Sequence, residues 1–152
     1  MDVNNGLALL CRVDTRLCAL PLESVIETTR PLPIEPMAGT PDFVLGLSVL
    51  RGAPVLIVDA GRLLRGKQSL PTRFVMLRVG KRRVGLAVDG VLGVRAVDSA
   101  TLEELPPLIR SADADVVSTV GTLDAELLLI LRAARIVPEG LFASIEAEAL
   151  AS

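Results

Sequence analysis

Residues Gly61-Arg-Leu-Leu-Arg-Gly66-Lys67 follow an apolar run and fit Gly-x-x-x-x-Gly-Lys, the spacing with which a loop cradles phosphates. That chemistry also needs a hydroxyl next in line to hold magnesium, and a helix to follow. Gln68 stands where the hydroxyl should be, and Pro71 stops a helix almost at once. The segment reads instead as a short amphipathic helix, with Leu63 and Leu64 plugging the end of a small barrel. The chain has no histidine and no tyrosine, which removes the commonest general acid–base and the commonest metal ligand. No serine sits in a Gly-x-Ser-x-Gly elbow. Cys11 and Cys18 are the two cysteines, and their spacing matches no metal or redox motif. They read as buried apolar side chains in a reducing compartment. No catalytic residue, cofactor or metal is expected.

The remaining sharp feature is a hairpin over Pro41–Leu64. Arg51-Gly52 sits at its tip between two apolar runs. Gly52 permits a tight turn, but a turn does not need an arginine. The corresponding residues in a second, similar stretch of the chain are Asp124-Ala125, so the fold does not require that charge. Arg51 is therefore a candidate binding residue.

That second stretch is part of an internal repeat. Shifted by 66 residues, Arg12, Val13, Arg16, Leu20, Glu23 and Val25 fall on Arg78, Val79, Arg82, Leu86, Asp89 and Val91. Shifted by 73, Leu50, Ile57, Ala60 and Arg62 fall on Leu123, Ile130, Ala133 and Arg135. The period is too long for a solenoid. It predicts two similar small domains, 14–72 and 73–137, with the first strand near 7–13 crossing to the second. Strands are expected near 7–13, 16–20, 25–30, 44–50 and 53–58, and again near 73–79, 82–89, 91–97, 116–123 and 126–132. Asp14-Thr15 and Gly80-Lys81 are matching hairpin turns. Asp89-Gly90 has hairpin composition, but its repeat partner Glu23-Ser24 does not favour positive φ, so a short helical turn or bend fits both. Pro106 and Pro107 lie in the second copy's counterpart of the proline-rich loop before residue 43. Residues 138–152 are expected to form a short C-terminal helix and tail, with Pro138 in the first turn. The fold class is all-β, two five-stranded antiparallel barrels.

Half of the chain is hydrophobic but only 2% is aromatic, so Val, Leu, Ile and Ala must build the core. Each half is too small for a comfortable core of its own, so the halves should pack together. The net charge of −2 argues against nucleic acid as a partner. Residues 60–88 nevertheless carry Arg62, Arg65, Lys67, Arg73, Arg78, Lys81, Arg82 and Arg83 and no acidic residue. These are solvated strand faces or a field that steers toward an acidic protein. The N-terminus lacks a basic n-region and a cleavage site, and the run Leu127–Leu131 is too short to span a bilayer. A cytoplasmic protein with no membrane insertion is expected.

From about Leu7 to the final helix the sequence resembles the CheW family of chemotaxis coupling proteins. The resemblance is carried by Cys18-Ala-Leu-Pro-Leu-Glu-Ser-Val-Ile-Glu27, by the Pro41–Leu64 hairpin and by Val84-Gly-Leu-Ala-Val-Asp-Gly-Val91. It implies two intertwined SH3-like barrels and no catalytic activity. It also implies a scaffold that links the cytoplasmic domain of a methyl-accepting chemoreceptor to a CheA-type histidine kinase, clustered with receptors. By resemblance, Gly46, Arg51 and Gly85 match positions tied to receptor coupling. Leu22 and Val88 would line an apolar groove that takes the receptor's helical hairpin, and Val25 would lie on the face that docks the kinase. The chain departs from the family at Val49, where Asn is usual, at Arg132, where Asp is common, and in a short Arg65–Thr72 linker. Those departures leave two alternatives: a receptor-binding adaptor that has lost kinase docking, or a barrel scaffold outside chemosensing.

Overall fold

The computed structural model describes residues 6–64, 71–97, 117–123, 126–131 and 136. Among them the strands are β1 (Leu7–Val13), β2 (Arg16–Pro21), β3 (Val25–Thr29), β4 (Val44–Leu50), β5 (Ala53–Asp59), β6 (Arg73–Val79), β7 (Arg82–Val88), β8 (Gly90–Ala96), β9 (Val117–Leu123) and β10 (Glu126–Leu131). One short helix, α1 (Ala60–Leu63), follows β5. Asp59 caps it, its carboxylate accepting from Gly61 N at 2.9 Å and Arg62 N at 3.5 Å. The expected C-terminal helix over 138–152 lies outside the described residues, as do Gly66-Lys67, Pro106-Pro107, Asp124-Ala125 and Arg132.

The strands form two five-stranded sheets, ordered β8-β1-β2-β10-β9 and β3-β6-β7-β5-β4. The all-β class expected from the repeat is the one observed. Moving each strand of the second sheet to its repeat partner (β3 to β8, β6 to β1, β7 to β2, β5 to β10, β4 to β9) gives the first sheet's order. One pairing in each sheet is parallel, β2 with β10 and β5 with β7; the others are antiparallel. The parallel pairs arise because the returning strand of each copy's second hairpin runs beside the exchanged hairpin.

The exchange is larger than a single strand. The sequence predicts that only residues 7–13 cross, with boundaries at 14–72 and 73–137. The sheet order instead places the whole β1–β2 hairpin in the sheet of β8–β10, and the β6–β7 hairpin in the sheet of β3–β5. The second sheet is thus one unbroken stretch, 25–88, and the first is assembled from both sides of it. Among the described residues the chain changes sheets at two places, a 3-10 turn at Leu22–Ser24 and a bend at Asp89. Asp89-Gly90 is therefore no hairpin turn, since β7 and β8 lie in different sheets. Asp89 fixes the crossing. Its carboxylate accepts from Asp14 N at 2.6 Å, its N–H donates to Arg12 O at 2.9 Å, and its carbonyl accepts from the Thr72 hydroxyl.

Strands buried on both faces explain the nearly unbroken apolar runs. Leu9, Cys11, Val13, Cys18 and Leu20 of the first sheet share one core with Leu56, Val58, Val75, Leu77, Val84, Leu86 and Val88 of the second. The alternate residues face away from that shared core. Ala8, Leu10, Leu17 and Ala19 pack with Val97. Val55, Ile57, Phe74, Met76 and Ala87 pack with Ile34, Leu45 and Leu50. Each fully buried Val, Leu or Ile contributes about 1.5–3 kcal/mol, so the shared core joins the two sheets into one stable body.

Candidate functional site

One row of residues crosses the whole 25–88 sheet. Register places Glu27 opposite Met76, Met76 opposite Gly85, Gly85 beside Ile57, and Ile57 opposite Gly46. Two of the five residues singled out for receptor coupling thus flank one isoleucine. The glycines make space. A Cβ on Gly85 would lie 2.6 Å from the Ile57 Cδ1 atom, and one on Gly46 would lie 2.1 Å from the Glu35 carbonyl oxygen. Gly46 also has a φ of +142°, a conformation that side chains rarely adopt. Its absent side chain lets the chain at Glu35 bridge to Leu47, through Glu35 N to Leu47 O at 2.7 Å and Leu47 N to Glu35 O at 2.9 Å. Ser48 Oγ anchors the same segment by donating to Pro33 O at 2.8 Å.

Arg51 completes this row from outside. It has φ +53° and Gly52 has φ +80°, the pair of positive values that a type I′ turn needs between β4 and β5. Glycine, asparagine and aspartate suit such a position; an arginine there is unusual and points to function. Its guanidinium grips Glu27 with two bonds, Nε at 3.1 Å and Nη2 at 2.9 Å. That bond holds the Glu27 carboxyl below the usual carboxylate range, with the nearby Arg83 charge acting in the same direction. The depressed value means that the pair is fully formed above the ordinary glutamate range and is lost as pH falls below it. In the repeat, Arg51 corresponds to Asp124 and Glu27 to Gly93. Both halves of the pair belong to the first copy alone. Sequence reading did not single out Glu27, because only the fold brings it to Arg51; the signal was this joint loss in the second copy.

The match to the CheW-like domain covers residues 7–140. The chain belongs to the CheW-like domain family. It is 28% identical to a chemotaxis protein CheW of Rhizobium meliloti, over 89% of this chain and 90% of that protein. It is 31% identical to Protein FrzA of Myxococcus xanthus, over 74% of this chain and 69% of that protein. With a CheW of Klebsiella aerogenes it shares 29% identity over 62% of this chain and 59% of the relative. The crystal structure of the scaffolding protein TtCheW from Thermoanaerobacter tengcongensis superposes with a TM-score of 0.79 at 21% identity, covering 87% of this chain and 92% of that one. The likeness in fold and the family membership make this a chemotaxis coupling adaptor of the CheW-like kind.

The other residues singled out for this CheW-like chain fall in different places. Leu22 opens the 3-10 turn at the first crossing and is half-buried. Val88 ends β7 near the second crossing, but it is only 1% exposed and sits in the shared core, so it presents no surface to a partner in this conformation. Val25 begins β3 half-buried and packs against the same core. Among the described residues the exposed large apolar side chains are Leu7, Val49, Leu92 and Val94, with Val49 at 69%. Composition alone did not single out Leu7, Leu92 or Val94, because an apolar residue in a strand reads as core.

Of the Gly61–Lys67 segment, Gly61–Leu63 is helical, and Gly66-Lys67 lie outside the described residues. Titration of ATP with magnesium is expected to give no heat above dilution, and saturable binding lost in Lys67→Ala would contradict this. Cys11 and Cys18 face each other across β1 and β2, free and fully buried. Burial pushes both thiols up, Cys18 to about 12, away from the reactive thiolate. Among the described residues no group of side chains could hold a metal ion, and no helix is long and apolar enough to cross a membrane.

Proposed function

We propose that this chain couples the cytoplasmic domain of a methyl-accepting chemoreceptor to a CheA-type histidine kinase, and catalyses no reaction itself. The observation that supports the receptor contact is the Arg51–Glu27 pair at a strained hairpin tip, present in one copy of the repeat and absent from the other. A helical hairpin would lie across the region where the two sheets meet, in the helix-in-groove mode, with Leu22 at the groove and Arg51 at its rim. The rim charge sets encounter and register.

The test is pull-down by a receptor cytoplasmic fragment, with and without the kinase. Wild-type protein should retain both, and Arg51→Glu should weaken receptor capture about tenfold while leaving the melting temperature nearly unchanged. Capture unaltered in that variant removes Arg51 from the site. A second reading, an adaptor for the receptor alone, draws support from Val25. The proposed kinase contact is half-buried rather than a protruding apolar patch. Capture of the receptor with no kinase at concentrations up to roughly 100 μM would favour that reading.

A further inference from the structure

The described members of the basic run that the sequence singled out do not form one surface. Arg62 is paired with Asp42 and Asp59, and Arg73 lies at the opposite end of β6 from the β6–β7 turn. What remains together is the turn end of β6 and β7. Arg78 and Arg83 are directly opposite each other in the register, and Lys81 stands in the turn between them. All three are exposed. Opposed residues of an antiparallel pair project to one face with Cβ atoms about 4.5–5.5 Å apart, and like charges placed so destabilise the sheet.

Among the described residues only Glu27 acts on Arg83, through its charge, and no carboxylate bonds to either arginine. Neither Arg78 nor Arg83 has a hydrogen-bonded or ion-paired partner among the described residues. The neighbouring carboxylate, Glu27, sits opposite Met76 on the adjacent strand, two residues before Arg78 in β6. It is already gripped by Arg51 through two bonds. One end of the sheet therefore gathers three guanidiniums and an ammonium around a single committed carboxylate. A strand pair gains no stability from this arrangement, and a partner that supplies anions would.

We propose that the β6–β7 end of the 25–88 sheet docks an acidic segment of a partner protein, its carboxylates received by Arg78 and Arg83. Guanidinium forks match carboxylates in pairs. The patch is narrow, and the chain as a whole is acidic, with a net charge of −2. A nucleic acid, with a charge about every 1.7 Å, would extend past the patch onto repelling surface. An anionic bilayer asks for a broad cluster of about four to eight basic residues on one face. A short acidic segment needs only what is present. This surface is independent of the receptor and kinase reading and survives its failure.

The test uses the full chain and a fluorescent peptide of alternating glutamate and serine, followed by anisotropy and by amide chemical shifts. The same peptide with glutamine in place of glutamate, single-stranded DNA, and vesicles of phosphatidylcholine with phosphatidylserine serve as comparisons. The glutamate peptide should bind saturably, shift amides within residues 78–83, and weaken as salt is raised. The glutamine peptide should not bind. Arg83→Glu separates binding from fold: it replaces the Arg78–Arg83 like-charge pair by an opposite-charge pair while losing the Arg83 attraction to Glu27, so it should leave the melting temperature nearly unchanged while weakening the peptide about tenfold. Equal peptide binding by wild type and Arg83→Glu overturns the proposal. So does tighter binding of the DNA or of the vesicles than of the peptide, because the occupant would then be a different polyanion.

Discussion

Gly46→Ala is expected to cost on the order of 3 kcal/mol or more, the sum of forcing a Cβ into a filled space and holding an L residue at a disfavoured φ. The added carbon would fall 2.1 Å from the Glu35 carbonyl oxygen and 2.8 Å from its carbon. Both are backbone atoms, so no side-chain rotation relieves the clash. The Glu35–Leu47 bridge would have to open, and Leu32 and Ile34, which cover one face of the sheet, would be released with it. Against a total stability of about 5–15 kcal/mol, such a loss should lower the urea midpoint severely. A midpoint within error of wild type would mean that the segment before β4 is not held as described.

Gly85→Ala gives the contrasting case. Its Cβ would meet the Ile57 Cδ1 atom at 2.6 Å and the Met76 Sδ and Cε atoms at 3.2 and 3.3 Å. These are the ends of flexible side chains, so the cost is expected near 1–2 kcal/mol. Removing the offending methyl in Gly85→Ala/Ile57→Val should recover part of it, a coupling that a double-mutant cycle detects. This matters for function. Both glycines are proposed receptor-coupling positions, yet each is explained by the packing of one row. Loss of receptor binding in a glycine variant therefore reports on binding only if the midpoint is unchanged. Arg51 lies at the exposed tip but bonds to Glu27, so loss of binding in its variants is also read beside the midpoint.

Much of the architecture was legible because the repeat is written twice. Arg12 to Val25 recurring at Arg78 to Val91 showed the two copies and their matching strands, and Glu23-Ser24 pointed to a bend rather than a hairpin at Asp89-Gly90. The extent of the exchange was not legible. β1 and β2 carry apolar residues on both faces, as do β6 and β7, and nothing in a strand buried on both sides says which sheet it joins. The site divided in the same way. Arg51 was visible as a charge that its turn did not require. Glu27 was not, since the two are 24 residues apart and meet only because β3 and the β4–β5 turn close on one end of a sheet. Val88 shows the limit of resemblance: the family position carried over, but the side chain is buried in the shared core.

Residues 73–152 alone are expected to show no cooperative unfolding transition, and adding residues 1–72 should restore one. The repeat boundary at residue 73 cuts both sheets. The fragment keeps β8, β9 and β10 but loses β1 and β2, which lie between β8 and β10 in the sheet order. It keeps β6 and β7 but strips them of β3 on one side and β5 on the other. The shared core loses Leu9, Cys11, Val13, Cys18, Leu20, Val44, Leu56, Val58, Ala60 and Leu64 at one stroke. The lost burial is on the order of 10 kcal/mol, comparable to the whole stability of such a domain. The complementary fragment supplies every one of those residues, so mixing the two should return β-sheet circular dichroism and a single melting transition. Residues 22–90, cut at the crossings instead, retain all four pairings of the second sheet and should keep more sheet structure than 73–152. A cooperative transition from 73–152 on its own would show that the second repeat copy can close a sheet from its own strands. The exchange of hairpins would then not be what holds the two halves together.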